Sequence, residues 1–108
     1  MRGSGDGGVY LTAGDIDAFW AALRSGQLLG ADLVERMTSV SQSADGHHYG
    51  WGVWLDADGT AWSMEGMDAG VSFRSTHVPS RELTATVLSN TTRGAWPVVR
   101  RLGELLAD

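Results

Sequence analysis

The sequence predicts an α+β domain, a four-stranded antiparallel meander with helices packed on the sheet. Three observations predict it. Ile16, Phe19, Trp20 and Leu23 fall at i, i+3, i+4 and i+7, one apolar stripe of a helix. Between Tyr49 and Ser89, segments rich in β-branched and aromatic residues are separated by turn signals. After Pro97, residues Val98, Leu102, Leu105 and Leu106 give a second helical stripe. Helices of this kind must bury their stripes against the apolar face of the sheet.

The elements follow in order. Residues 1–8 read as a flexible leader and Val9 to Leu11 as a short extended entry, opening a helical part over 9–40. Thr12 and Asp15 are three apart, the spacing of a capping box, so a helix is expected to start between them. Gly26 suits the left-handed position just past its end. A second short helix is expected from Ala31 to about Ser39, and the polar run Ser41 to His48 reads as loop. The sheet is expected over 49–90. Tyr49, Trp51, Val53 and Leu55 alternate with Gly50, Gly52 and Trp54 and read as its first strand. Asp56-Ala57-Asp58-Gly59 is a hairpin turn, followed by a strand from Thr60 to Glu65 and a loop from Gly66 to Gly70. Val71 to Val78 and Leu83 to Ser89 are the last two strands, joined by the turn Pro79 to Glu82. The final helix is placed at 95–107, with Pro97 in its first turn.

Composition excludes several chemistries. At 108 residues the chain is expected to form a single domain, burying roughly 65% of its unfolded surface. All eight basic residues are arginines, so no lysine base, Schiff base or lysine phosphate clamp is available. There is no cysteine, which removes disulfides, thiol nucleophiles and thiolate metal sites. The net charge of -5 argues against nucleic acid and anionic membrane as partners, and no apolar run is long enough to span a bilayer. No cofactor or metal is expected. The leader has no apolar region, so as written the chain is expected to remain cytoplasmic.

Several local patterns have bland explanations. Gly3 to Gly8 fits G-x-G-x-x-G, but a dinucleotide site needs a strand before it. Asp56, Asp58, Gly59 and Glu65 fit four calcium-loop positions, yet Trp54 stands where the first carboxylate belongs. His47 and His48 are adjacent and read as solvated loop histidines, since neighbouring rings diverge. His77 can be drawn into a triad with some serine and aspartate, but ten serines permit many such drawings. Asn90-Thr91-Thr92 matches a glycosylation sequon and reads as a polar strand end. Trp20, Trp51, Trp54, Trp62 and Trp96 can line a ligand cleft and are expected instead in core and interfaces.

One resemblance spans nearly the whole chain. Gly7-Gly8-Val9-Tyr10-Leu11-Thr12-Ala13-Gly14-Asp15-Ile16, Tyr49-Gly50-Trp51-Gly52-Val53-Trp54, Gly66 to Phe73 and Val87-Leu88-Ser89-Asn90 resemble, in order and spacing, the C-terminal part of the serine β-lactamase and penicillin-binding-protein family. The look is that of its class C-like, D-alanyl-D-alanine carboxypeptidase and esterase branch, over about a third of a complete member. Such enzymes are often exported.

The family acylates a serine in Ser-x-x-Lys, assisted by Tyr-x-Asn and by a strand motif of Lys or His, then Thr or Ser, then Gly. The resemblance implies that most of this is missing. Lysine is absent, and neither Tyr10 nor Tyr49 begins Tyr-x-Asn. The third motif maps onto Met64-Glu65-Gly66, where only the glycine matches and the carboxylate would repel an anionic substrate. The family's oxyanion-hole N–H would belong here to Met67. The resemblance therefore implies a C-terminal fragment or truncated relative that is inactive alone. Alternatives are half of a split enzyme needing an N-terminal partner, and a small non-catalytic binding module. Loss of the family's N-terminal strands and helix would leave a bare sheet edge and apolar surface, so self-association or an N-terminal partner polypeptide is expected.

Overall fold

A computed structural model describes residues 3–107. Met1 and Arg2 of the expected leader lie outside the described residues; within it, Ser4 and Gly7 exchange backbone hydrogen bonds in a tight exposed turn. Helix α1 spans Ala13–Arg24, and α2 spans Ala31–Met37. The capping box is present: the Thr12 hydroxyl accepts from the Asp15 N–H at 3.1 Å and the Asp15 carboxylate accepts from the Thr12 N–H at 2.9 Å. The Thr12 backbone and side-chain bonds together hold the Asp15 carboxyl below its ordinary range. Gly26 takes φ +81° one residue past the Ser25 cap, the strained position that favours glycine.

The sheet has six antiparallel strands in sequential order where four were expected. They are β1 (Gln42–Ala44), β2 (His47–Tyr49), β3 (Trp54–Leu55), β4 (Trp62–Asp68), β5 (Val71–Val78) and β6 (Leu83–Ser89). The difference lies in two places. Ser41 to His48 is not loop: Asp45 (φ 51°) and Gly46 (φ 79°) form a two-residue turn with both φ positive, which pairs β1 with β2. Tyr49 to Leu55 is not one strand either. The chain turns back on itself through Gly52 at φ +77°, the Gly50 N–H donates to the Val53 carbonyl, and the Trp51 N–H donates to the Met37 carbonyl, tying the turn to the end of α2. A side chain at Gly50 would collide with that Met37 oxygen. β4 also runs on to Asp68, through residues expected to be loop.

A 3-10 turn at Pro79–Arg81 with Glu82 at φ 48° joins β5 to β6, and helix α3 (Ala95–Leu106) closes the chain. Alternation then divides the sheet into two faces. Trp20 reaches Ser75 and His77, so α1 covers the face carrying Trp62, Met64, Ser75, His77, Thr84 and Thr86. α3 covers the opposite face, because its Ala95 N–H donates to Ser72 Oγ and its Val99, Leu102 and Leu106 line a groove with Arg74, Thr76 and Val78. The core, Ile16, Trp20, Leu23, Val34, Val53 and Leu55, belongs to the first face, with Met37, Trp62 and Met64 packed against it.

Candidate functional site

Met64, Glu65, Gly66 and Met67 all lie within β4, each paired with β5: Met64 with Ser75, Glu65 with Arg74, Gly66 with Phe73 and Met67 with Ser72. β3 covers β4 only at Trp62 and Ser63, leaving Met64 to Asp68 with one open edge. Its donors can be assigned by parity. The Asp56 N–H donates to the Ala61 carbonyl, so Trp54 and Ser63 form the next hydrogen-bonded pair, two residues along. Ser63, Glu65 and Met67 therefore aim their main-chain groups away from β5. The N–H groups of Glu65 and Met67 face the open edge.

The side chains at this edge have structural partners. Met64 packs against the core. Glu65 is ion-paired with Arg74 at 3.2 Å, and the Arg74 guanidinium also reaches Ser63 and Thr76, whose hydroxyls share a 2.9 Å hydrogen bond. Both partners of the ion pair are more than a third exposed, so solvent screens it and its contribution is small. Gly66 has a packing reason: a Cβ there would stand 2.9 Å from Phe73 Cε1. Met67 is 54% exposed, and its sulfur accepts from the Trp96 indole N–H at 3.4 Å, linking the end of β4 to the start of α3. Arg74 and Trp96 were not anticipated as neighbours of this motif. Placing the hairpin turn at Ala69-Gly70 pairs Glu65 with Arg74 by arithmetic alone, so the signal was there.

Among the described residues a hydroxyl meets an imidazole twice, Ser43 with His48 on the exposed β1–β2 hairpin and Thr84 with His77 under α1, and neither pair belongs to the β4 edge motif. The buried Ser75 Oγ accepts from the Trp20 indole N–H at 2.8 Å and lies 2.9 Å from Thr86 Oγ1. Ser72 Oγ donates to the Thr91 carbonyl and accepts from the Ala95 N–H, holding the start of α3. His77 bonds Thr84 through Nδ1, lies parallel to Trp20 with ring centroids 5.7 Å apart, and leaves Nε2 buried without a partner. Burial, then the nearby positive charge of Arg24, push its pKa down against the opposing pull of Asp17. No serine or carboxylate joins it in a triad.

The other patterns also resolve into structure. His47 and His48 sit on β2, not in a loop; His47 meets Trp54 edge-on and His48 Nδ1 lies 2.7 Å from Ser43 Oγ. Among the described residues no three His, Cys, Asp or Glu side chains gather to hold a metal. Asp56 bonds Thr60 and Ala61 within its own turn. Burial pushes its pKa up, but the bonds from Thr60, Ala61 and Gly59 outweigh this and leave it lowered. Thr92 Oγ1 accepts from the Gly70 N–H, so the sequon braces the β4–β5 turn. Trp20 is fully buried, Trp62 and Trp96 are half-buried, and Trp51 and Trp54 are exposed around the β2–β3 turn.

No family model and no curated protein matches this chain. Among solved structures it is similar to the penicillin binding protein from Bacillus halodurans, with a TM-score of 0.80 and 29% sequence identity. The match covers 89% of this chain and 31% of that one, so the chain spans about a third of that structure's length. The α+β fold, with its antiparallel sheet, is thus similar to that of a portion of this penicillin binding protein. No helix among the described residues is long and apolar enough to cross a membrane.

Proposed function

We infer that this chain is the sheet and terminal-helix portion of a serine β-lactamase-like hydrolase scaffold, a truncated relative of the class C-like branch, without acyl-transfer activity by itself. The observation that carries this reading is the state of the open β4 edge. Its motif positions hold a core methionine, a carboxylate ion-paired with Arg74 and a glycine, with no serine–base pair beside them. Acyl transfer needs an activated nucleophile, a proton acceptor and an oxyanion donor within mutual reach. On this reading the β4 edge offers one of the three, the Met67 N–H as oxyanion donor, while the Ser43–His48 contact belongs to the β1–β2 hairpin. The expected result is no turnover of a chromogenic ester by the purified chain above a buffer control; saturable turnover abolished by a serine substitution would refute the reading.

The split-enzyme alternative is favoured by one specific feature. The Met67 N–H faces solvent across an open strand edge, where a second polypeptide carrying serine, lysine and tyrosine has room to present an acyl group. Adding such a polypeptide and recovering ester turnover would select this alternative.

A further inference from the structure

The methionines of the sheet region stand in unlike surroundings. Met37 and Met64 are half-buried and packed against the core, whereas Met67 is 54% exposed near the end of β4. Exposure governs which thioethers an oxidant reaches first. Met67 also differs in what holds its sulfur. Its cross-strand partner Ser72 accepts from the Ala95 N–H, which puts the Met67 side chain on the α3 face, away from the core that Met64 joins. There the half-buried Trp96 indole N–H donates to the Met67 sulfur at 3.4 Å, joining the end of β4 to the first turn of α3. A thioether is a weak acceptor, so this indole donor is held by less than it could take.

We propose that Met67 is an oxidation site for hydrogen peroxide, and that the Trp96 indole N–H captures the resulting sulfoxide oxygen and so clamps β4 to α3. The indole occupies one lone pair of the sulfur and leaves the other for attack on a peroxide oxygen. An S–O bond forms as the O–O bond breaks, and the departing hydroxide takes the proton of the transferred hydroxyl and leaves as water. The sulfur is oxidised and the peroxide reduced by the same electron pair. The new oxygen lengthens the side chain, so the sulfur must draw back for the indole nitrogen and the oxygen to settle about 2.9 Å apart. An unbranched, exposed methionine has the freedom to do so. Methionine oxidation ordinarily loosens a protein by setting a polar group among apolar neighbours, the course expected at Met37 and Met64. At Met67 a donor is already in place, so the sign reverses and oxidation tightens the junction.

The proposal does not depend on the hydrolase reading. Its test treats the purified chain with dilute hydrogen peroxide, localises the added oxygen by peptide fragmentation, and follows the tryptophan indole N–H signals by NMR. Met67 should be oxidised about fivefold or more faster than Met37 and Met64. Exchange of the Trp96 indole proton with water should then slow by about threefold or more. Met67→Leu should show no such slowing under the same treatment. Equal oxidation rates at the three methionines overturn the proposal. So does a Trp96 indole proton whose exchange stays constant or quickens on oxidation, the result if the sulfoxide turns to solvent. Both readings come from the unsubstituted chain and decide even if the leucine variant misfolds.

Discussion

The two faces of the sheet are unequally finished. Under α1, Trp20 and Leu23 are sealed from solvent, the Trp20 indole is anchored to Ser75, and apolar side chains from two helices and two strands close around them. Under α3, Ala95 is the buried hydrophobic residue of the helix, Val98 and Leu105 are 49% and 57% exposed, and a groove of about 360 Å³ opens beside Val78, Val99 and Leu106. The difference teaches that one face of the sheet holds the buried core and the other an open apolar groove.

The sharpest way to break the comparison is to remove its best-packed residue. Trp20→Ala should destabilise the fold by about 3–5 kcal/mol in urea denaturation, since it empties a sealed site and removes one of the two hydrogen bonds of the buried Ser75. A cost near that of a surface substitution would mean that the α1 face is loose. Gly66→Ala tests the same face by overfilling it: the methyl must displace the Phe73 ring, at about 1–3 kcal/mol. An unchanged denaturation midpoint would show that Phe73 yields freely.

pH gives a third lever on that face. His77 has its pKa lowered below 6.5, so between the folded and unfolded values the unfolded chain binds more protons. Its contribution is complete above about pH 6.5 and is lost as pH falls through the folded value. Denaturation midpoints should therefore drop between pH 7.5 and the mildly acidic range, and His77→Gln should flatten that slope. A slope identical in both proteins would place the titration elsewhere. The smallest effect is expected on the other face, where Val98→Ala should cost no more than about 0.5 kcal/mol. A cost approaching that of Trp20→Ala would erase the asymmetry.

Much of this arrangement was legible in the sequence because local rules decided it. Thr12 and Asp15 cap α1, the Ile16–Leu23 stripe faces the core, and Gly59 at φ +67° turns the β3–β4 hairpin. Where reading failed, backbone geometry overrode the side-chain pattern. Tyr49 to Leu55 alternates like a strand, yet Gly50 and Gly52 allow the chain to fold back against α2, a contact with Met37 that no local window contains. The Asp45-Gly46 turn was a recognised hairpin signal hidden in a polar run. At the candidate site, the glycine that best fits the family motif also has a plain packing reason in Phe73, and the partner of Glu65 follows only once the β4–β5 register is known.

The most direct test of the account is the intact mass of the purified chain after incubation with a fluorescent penicillin. On the proposed reading the mass should remain that of the unmodified 11.5 kDa chain. A stoichiometric covalent adduct on any of its ten serines would contradict it.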